Sequence, residues 1–149
     1  MFVSAEEGGF EQGLYDGVAT GNIHNCDDLD KLNAAILDKY ELFAPDESEL
    51  RLGWMRKRLL FEDPLYLVNY LYAALVACKL YEMDLANPKD FPLRYVGLLR
   101  EGFDAPGTDL LRKNMGFTLD RDQLIDGALQ LMERRTARLK QLYDQTPVQ

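Results

Sequence analysis

One long apolar stretch organises this sequence: residues 64–84, which read P-L-Y-L-V-N-Y-L-Y-A-A-L-V-A-C-K-L-Y-E-M-D. Asp63 and Pro64 predict the start of a helix, because Asp caps helix N-termini and Pro fits the first helical turn. Asn87 and Pro88 predict its end. Apolar side chains fall on most faces of the predicted helix, and a helix that is apolar nearly all round is typically a central one, wrapped by others.

Helical periodicity also dominates on both sides of this stretch, and no segment alternates convincingly with period two. We therefore predict an all-α fold, a compact bundle of about six helices with a central apolar helix near residues 64–84. No internal repeat or linker interrupts the chain, so residues 1–149 are predicted to form a single helical domain. The other predicted helices cover residues 2–18, a segment from an Asn25 or Asp27 cap to Tyr40, residues 90–100, residues 108–114 and a last helix after Asp120. The segment through Trp54 is predicted to be either a short helix or an extended arm.

The first of these helices is weak by itself. Gly8, Gly9 and Gly13 each cost it roughly 1 kcal/mol relative to alanine. We therefore expect the segment to be held in place by packing against another part of the protein.

Composition and charge limit the classes of partner. The 149 residues carry 17 basic and 25 acidic side chains, for a formal net charge of −8. An acidic protein lacks the clustered Lys and Arg that neutralise phosphates, so nucleic acid is not an expected partner. No stretch is long and apolar enough to predict a membrane span, and two cysteines without a paired motif are typical of a reduced, cytoplasmic protein.

The residues needed for independent catalysis are also scarce. His24 is the one histidine, and no H-E-x-x-H string is present. Ser4 and Ser48 lack the G-x-S-x-G context of a nucleophile elbow, and no phosphate-binding glycine loop occurs. We therefore predict no metal site, no cofactor and no confident catalytic residue on this chain.

Three segments, taken in order, resemble the C-terminal end of oligoendopeptidase F type zinc metallopeptidases of the thimet oligopeptidase family. The first is residues 54–74, W-M-R-K-R-L-L-F-E-D-P-L-Y-L-V-N-Y-L-Y-A-A. It keeps the family's spacing from Trp54 to Pro64, Tyr66 and Tyr70 fall on two of the family's tyrosines, and Asn69 replaces a Gln.

The other two segments lie on either side of the first. Residues 95–119 are similar to the family pattern Y-x-x-L-L-x-x-G-x-x-x-x-P-x-x-L-L-x-x-x-G-x-D. Residues 32–40 are similar to L-N-x-x-Y-x-x-L-x-x-x-Y, and Phe10-Glu11 stands where the family has an F-E pair. Together the three segments span essentially the whole chain.

The departures from the family pattern bear on activity. Family members carry the zinc motif and the third zinc ligand before the region that resembles this chain, so the resemblance implies that zinc is expected only in a complete enzyme. Leu59 stands where the family has a substrate-facing His, and Val68 replaces one tyrosine. Tyr66 and Tyr70 remain, and a tyrosine hydroxyl can donate to an oxyanion.

The resemblance implies a non-catalytic C-terminal piece of a peptidase, inactive alone, that forms one wall of a peptide-binding cleft. Tyr66 and Tyr70 are the candidate wall residues, although their spacing by four favours core aromatics with hydroxyls at the rim. The expected partner is a catalytic chain with the H-E-x-x-H motif, or a second copy of this chain, and peptide is the substrate only in a complete enzyme. The alternative is a stand-alone helical protein-interaction module without catalytic activity.

Overall fold

The computed structural model describes residues 2–40 and 51–146, and all regular structure within them is helical. The predicted all-α class is therefore confirmed. A 3₁₀ turn, Gly53–Arg56, lies directly before the short α-helix Arg58–Glu62. Within the described residues the seven α-helices are α1 (Phe2–Ala19), α2 (Cys26–Tyr40), α3 (Arg58–Glu62), α4 (Leu67–Ala86), α5 (Phe91–Arg100), α6 (Gly107–Met115) and α7 (Arg121–Gln145).

Local signals set several helix ends. The Asp120 carboxylate accepts the backbone N–H of Gln123 at 2.9 Å and so caps α7, as the sequence predicts. Gly116, which ends α6, has a φ of +77°, a conformation that glycine adopts without strain. The side chain of Asn25 accepts the N–H of Asp28 at 3.1 Å and caps α2.

The predicted start of the central helix is wrong by three residues. Asp63 ends α3, its N–H donating to the Leu59 carbonyl at 3.0 Å, instead of capping the next helix. Leu65 has a φ of +67°, and this left-handed residue turns the chain before α4 begins at Leu67. Leu67 and Leu75 of α4 are buried, whereas Tyr70, Tyr81 and Leu85 are exposed, so this apolar helix is not enclosed on all sides.

The chain divides into two compact units, one ending at Ala73 and the other beginning at Ala74. The boundary lies within α4, so this continuous helix contributes residues to both units. The prediction of a single domain over residues 1–149 is not tested by this division and stays a prediction. Along the described part of the chain, no helix combines the length and apolar character needed to cross a bilayer.

The core of the first unit forms around Phe10 of α1, which is completely buried. Its ring stacks on Trp54 of the 3₁₀ turn, with 6.4 Å between ring centroids, and Leu60 of α3 completes the cluster. The Trp54 indole N–H donates to the Asp30 carboxylate of α2 at 2.8 Å. Trp54 is therefore a packing anchor that ties the 3₁₀ turn to both α1 and α2.

Close packing explains how the glycine-containing α1 forms. A Cβ added at Gly17 would lie 2.5 Å from the Ile23 side chain, and one at Gly13 would lie 3.0 Å from Leu32 of α2. Both distances are shorter than side chains tolerate without moving. The glycines weaken the isolated helix, yet they permit the tight contact that holds it.

The second unit has an apolar core. It is built from the later part of α4 together with α6 and α7, and its buried residues are Leu75, Leu110, Met115, Leu124, Ala128 and Leu131. Arg94 of α5 donates to the Asn114 carbonyl of α6 at 2.9 Å. This contact links α5 to the end of α6.

Candidate functional site

The two candidate tyrosines lie next to each other in the first unit. Tyr66 is the residue before α4, and its carbonyl accepts the N–H of Asn69, while Tyr70 lies in the first turn of the helix. The rings meet edge to face with 5.4 Å between centroids, a favourable geometry for aromatic pairs. We call Tyr66 and Tyr70 the tyrosine pair.

The tyrosine pair is accessible from outside the unit. Tyr66 is 43% exposed and Tyr70 is 48% exposed. About half of each side chain lies at the surface, which fits both interpretations of the pair, as cleft residues and as core aromatics with their hydroxyls at the rim. A phenol in this position has its O–H available as a hydrogen-bond donor. Their proposed role as substrate-cleft residues stays a prediction.

A buried carboxylate fixes the backbone beside the tyrosine pair. Glu11 of α1 is 2% exposed, and its Oε1 atom accepts the backbone N–H of Leu65 at 2.5 Å. Leu65 is the left-handed residue that directly precedes Tyr66. Since L-residues avoid this conformation by roughly 1–2 kcal/mol, the Glu11 hydrogen bond offsets the backbone strain of the turn. Glu11 thereby fixes the position of the backbone directly before Tyr66.

α1 also closely approaches the start of α4. A Cβ built at Gly8 would lie 3.7 Å from the Cα atom of Val68, which is ordinary van der Waals contact. Val68 is the position where the family pattern has a tyrosine. α1 therefore approaches the same turn that carries the tyrosine pair.

Lys57 connects α1 to the segment before α3. Its ammonium group lies 3.2 Å from Glu6 and 3.6 Å from Glu7, and the side chains of Lys57 and Glu6 are each only 10% exposed. Lys57 is therefore a largely buried cation with two acidic partners. Its neighbour Arg58 is instead exposed and pairs within α3 with Glu62 at 2.9 Å.

The structural roles of Glu11 and Lys57 in this region are not evident from the sequence. The Phe10-Glu11 pair was the available signal, and the structure shows both residues buried. Lys57 carried no signal of its own, because its partners lie some fifty residues earlier in the chain. Leu59, which stands where the family has its substrate-facing His, is half-buried within α3.

The described residues do not form a metal site. No three His, Cys, Asp or Glu side chains within residues 2–40 and 51–146 come together as metal ligands. His24 and Cys26 are exposed residues at the start of α2, and the Cys26 and Cys78 thiols are both free. This donor set does not fit zinc, so no chemical step on these residues is derived from a metal.

Comparison with known proteins supports a distant relation to the oligoendopeptidase F family. The chain is 23% identical over 145 residues to a protein of Lactococcus lactis subsp. lactis (strain IL1403) named oligoendopeptidase F homolog. The match covers 97% of this chain and 24% of that protein, so the chain spans about a quarter of the length of this relative. No family model and no solved structure matches the chain.

Proposed function

We propose that this chain is the C-terminal helical piece of an oligoendopeptidase-like zinc metallopeptidase. It is inactive alone and forms one wall of the peptide-binding cleft in a complete or split enzyme. The observation that carries the proposal is the similarity to the Lactococcus protein along 97% of the chain. The activity of the assembled enzyme would be hydrolysis of short peptides, with the zinc ligands supplied from outside this chain.

The tyrosine pair supports the assignment of a wall. A wall residue must be accessible to substrate and must have a defined position, and Tyr66 and Tyr70 meet both requirements. Their exposure makes the hydroxyls available, and the bond from Leu65 to Glu11 fixes the backbone next to Tyr66. In the assembled enzyme we assign these hydroxyls to hydrogen bonds with the peptide carbonyl, or with the oxyanion that develops from it.

A complementation assay tests this function. The Lactococcus relative is produced without the region that this chain matches, and is then co-expressed with the chain. We expect each component alone to leave an internally quenched peptide intact and the pair to cleave it in a chelator-sensitive reaction. A pair that co-purifies without cleaving the peptide contradicts the proposal, as does peptide cleavage by the pure chain.

Two tyrosine variants test the role of the wall in the same assay. Removing one oxyanion donor typically lowers kcat by about 10²–10³, so Tyr66→Phe or Tyr70→Phe should slow cleavage by at least tenfold. Tyr143→Phe is the matched control, because Tyr143 is 72% exposed near the end of α7. Equal cleavage rates for all three variants would contradict a role of the tyrosine pair in the cleft.

A stand-alone interaction module is the second candidate function. It is favoured by the large apolar side chains that the chain exposes, among them Phe61 (62%), Leu93 (75%) and Phe103 (105%). Apolar surface of this kind typically marks a protein–protein contact. Sedimentation velocity over a range of concentrations tests it: a chain that self-associates, but fails to complement the truncated relative, favours the module over the peptidase piece.

A further inference from the structure

The second unit contains a groove that the proposed function does not use. It lies between the end of α4 and the middle of α7 and has a volume of about 450 Å³. Its apolar part is formed by Leu85, Ala86 and Leu131, of which Leu131 is buried. This volume is within the range of sites that bind small molecules and short peptide ends.

Three arginines of α7 line the same groove: Arg134, Arg135 and Arg138. They face one carboxylate, that of Glu82 on α4, with which Arg134 forms an ion pair. Along the described part of the chain, Arg135 and Arg138 have no carboxylate within 4 Å. The groove is therefore locally cationic, although the chain as a whole has a net charge of −8.

The position of Arg135 is fixed by an aromatic contact. The guanidinium carbon of Arg135 lies 4.9 Å from the ring centroid of Tyr81. A guanidinium N–H of Arg135 also donates to the Tyr81 hydroxyl. A cation–π contact holds the guanidinium group without neutralising its charge. Arg138 follows Arg134 by one helical turn, so both project on the same side of α7. The groove thus presents one fixed and one unpaired guanidinium above an apolar floor.

We propose that this groove binds the C-terminal carboxylate of a peptide whose last residue is apolar. A guanidinium group has planar, forked N–H donors that match a carboxylate. Leu85, Ala86 and Leu131 provide the contact for the apolar side chain next to that carboxylate. The Glu82 carboxylate can also accept a peptide N–H, a donor that a fatty acid or an inorganic anion lacks. The proposal does not depend on the proposed function, because it needs neither zinc nor peptide cleavage.

Binding of N-acetyl-alanyl-leucyl-leucine to the full chain, measured by isothermal titration calorimetry, tests the proposal. The matched probe is the same peptide with a C-terminal amide. For a ligand of this size in an open groove we expect a Kd on the order of 0.1–1 mM for the free acid. The amide should bind roughly tenfold more weakly, because it loses the charge-assisted hydrogen bonds. Equal affinity for the acid and the amide would overturn the proposal, and so would no binding of either.

Variants then locate the site. Arg138→Gln should weaken binding of the free acid roughly three- to tenfold, and Arg135→Lys should also weaken it, because lysine lacks the forked donors. The matched control is Arg100→Gln, which removes an exposed arginine at the end of α5, outside the groove. Free-acid binding that is unchanged in both groove variants, or that falls equally in the control, would place the peptide elsewhere.

Two further probes separate the peptide from other anions. Hexanoate carries a carboxylate on an apolar chain, and inorganic phosphate carries charge alone. Both should bind more weakly than the tripeptide acid, since hexanoate has no amide N–H for Glu82 and phosphate has no apolar group. A hexanoate or phosphate affinity equal to that of the tripeptide would overturn the assignment of a peptide terminus.

Discussion

The two compact units of this chain bury different kinds of side chain. In the unit ending at Ala73, the buried residues include Glu6, Glu11 and Asn33 beside the aromatic cluster of Phe10 and Trp54. In the unit beginning at Ala74, the described residues that are buried are all apolar, and its ion pairs lie at the surface.

This difference indicates which interactions determine the packing of each unit. An apolar core supplies stability through the area that it removes from water, and it tolerates rearrangement if its volume is kept. Buried polar groups are costly unless every partner is in place, so a satisfied network favours one arrangement over others. The unit ending at Ala73, which contains the tyrosine pair, is the one that relies on buried polar groups.

The largest effect is expected for Phe10→Ala. Phe10 is fully buried, and truncation of a buried Phe to Ala typically costs 3–5 kcal/mol, so we expect about 4 kcal/mol of destabilisation. Urea unfolding followed by Trp54 fluorescence measures it, since Trp54 is the one tryptophan and its ring stacks on Phe10. Tyr15→Ala, on an exposed position of the same helix, is the control. A loss below about 1 kcal/mol for Phe10→Ala would mean that the aromatic cluster does not hold the unit.

A matched pair of lysine and arginine variants compares the two units directly. Lys57→Met leaves the carboxylates of Glu6 and Glu7 without their cation in a poorly exposed site, and we expect a loss of about 3 kcal/mol. Arg134→Met removes an ion pair with Glu82 in which the Arg134 side chain is 57% exposed. We expect this substitution to lower the free energy of unfolding by at most about 1 kcal/mol. Equal losses of unfolding free energy in the two variants, measured with urea, would contradict the proposed difference between the units.

Glu11 is expected to have a smaller, more local effect. Glu11→Ala removes the acceptor of the Leu65 N–H and should cost about 2 kcal/mol, whereas Glu11→Gln keeps an acceptor oxygen and should cost about half of that. Hydrogen exchange at the Leu65 amide, measured by NMR, should accelerate most in Glu11→Ala. Gln12→Ala is the control, because Gln12 is exposed and donates to exposed Asp16 of the same helix. An unchanged exchange rate in Glu11→Ala would show that Glu11 does not hold the turn.

The smallest effect is a dependence of stability on pH at the start of α2. The His24 backbone N–H donates to the Asp28 carboxylate at 3.0 Å, and this bond lowers the pKa of Asp28 below its ordinary value. A carboxyl group with a lower pKa in the folded state stabilises the fold at neutral pH. That stabilisation is lost as the pH falls below about 4, where the unfolded chain takes up the proton first.

Melting temperatures at pH 7 and pH 3 check this prediction. The wild-type protein should lose slightly more stability on acidification than Asp28→Asn, in which no carboxyl group titrates at this position. Asp27→Asn is the control, since Asp27 is exposed in the same helical turn. Identical acid losses in the wild-type protein and Asp28→Asn would contradict the prediction.

Much of the fold could be predicted because its signals are local. Asp120 with Gln123, Gly116 after α6 and Asn87-Pro88 after α4 each define a helix end through chemistry within four residues. Asp63-Pro64 had the same appearance but did not begin a helix. The turn there is set by the bond between Leu65 and Glu11, which are 54 residues apart, and no local pattern reports a contact at that distance.

The candidate site was predictable in part for the same reason. Spacing by four residues predicted that Tyr66 and Tyr70 would lie close together, and the structure places their rings in contact. The spacing did not reveal that Tyr66 lies outside the helix, or that α1 supplies the carboxylate beside it. Burial of a charged residue depends on the partner that compensates it, and composition cannot identify that partner.

The left-handed turn at Leu65 has a consequence for how related chains can diverge. A glycine at this position would adopt the same backbone without strain, whereas a leucine depends on the carboxylate of Glu11. The two positions should therefore vary together: where a relative has glycine at position 65, selection to keep an acid at position 11 is relaxed. A residue of α1 and a residue of a turn 54 positions later are in this way expected to evolve as a pair.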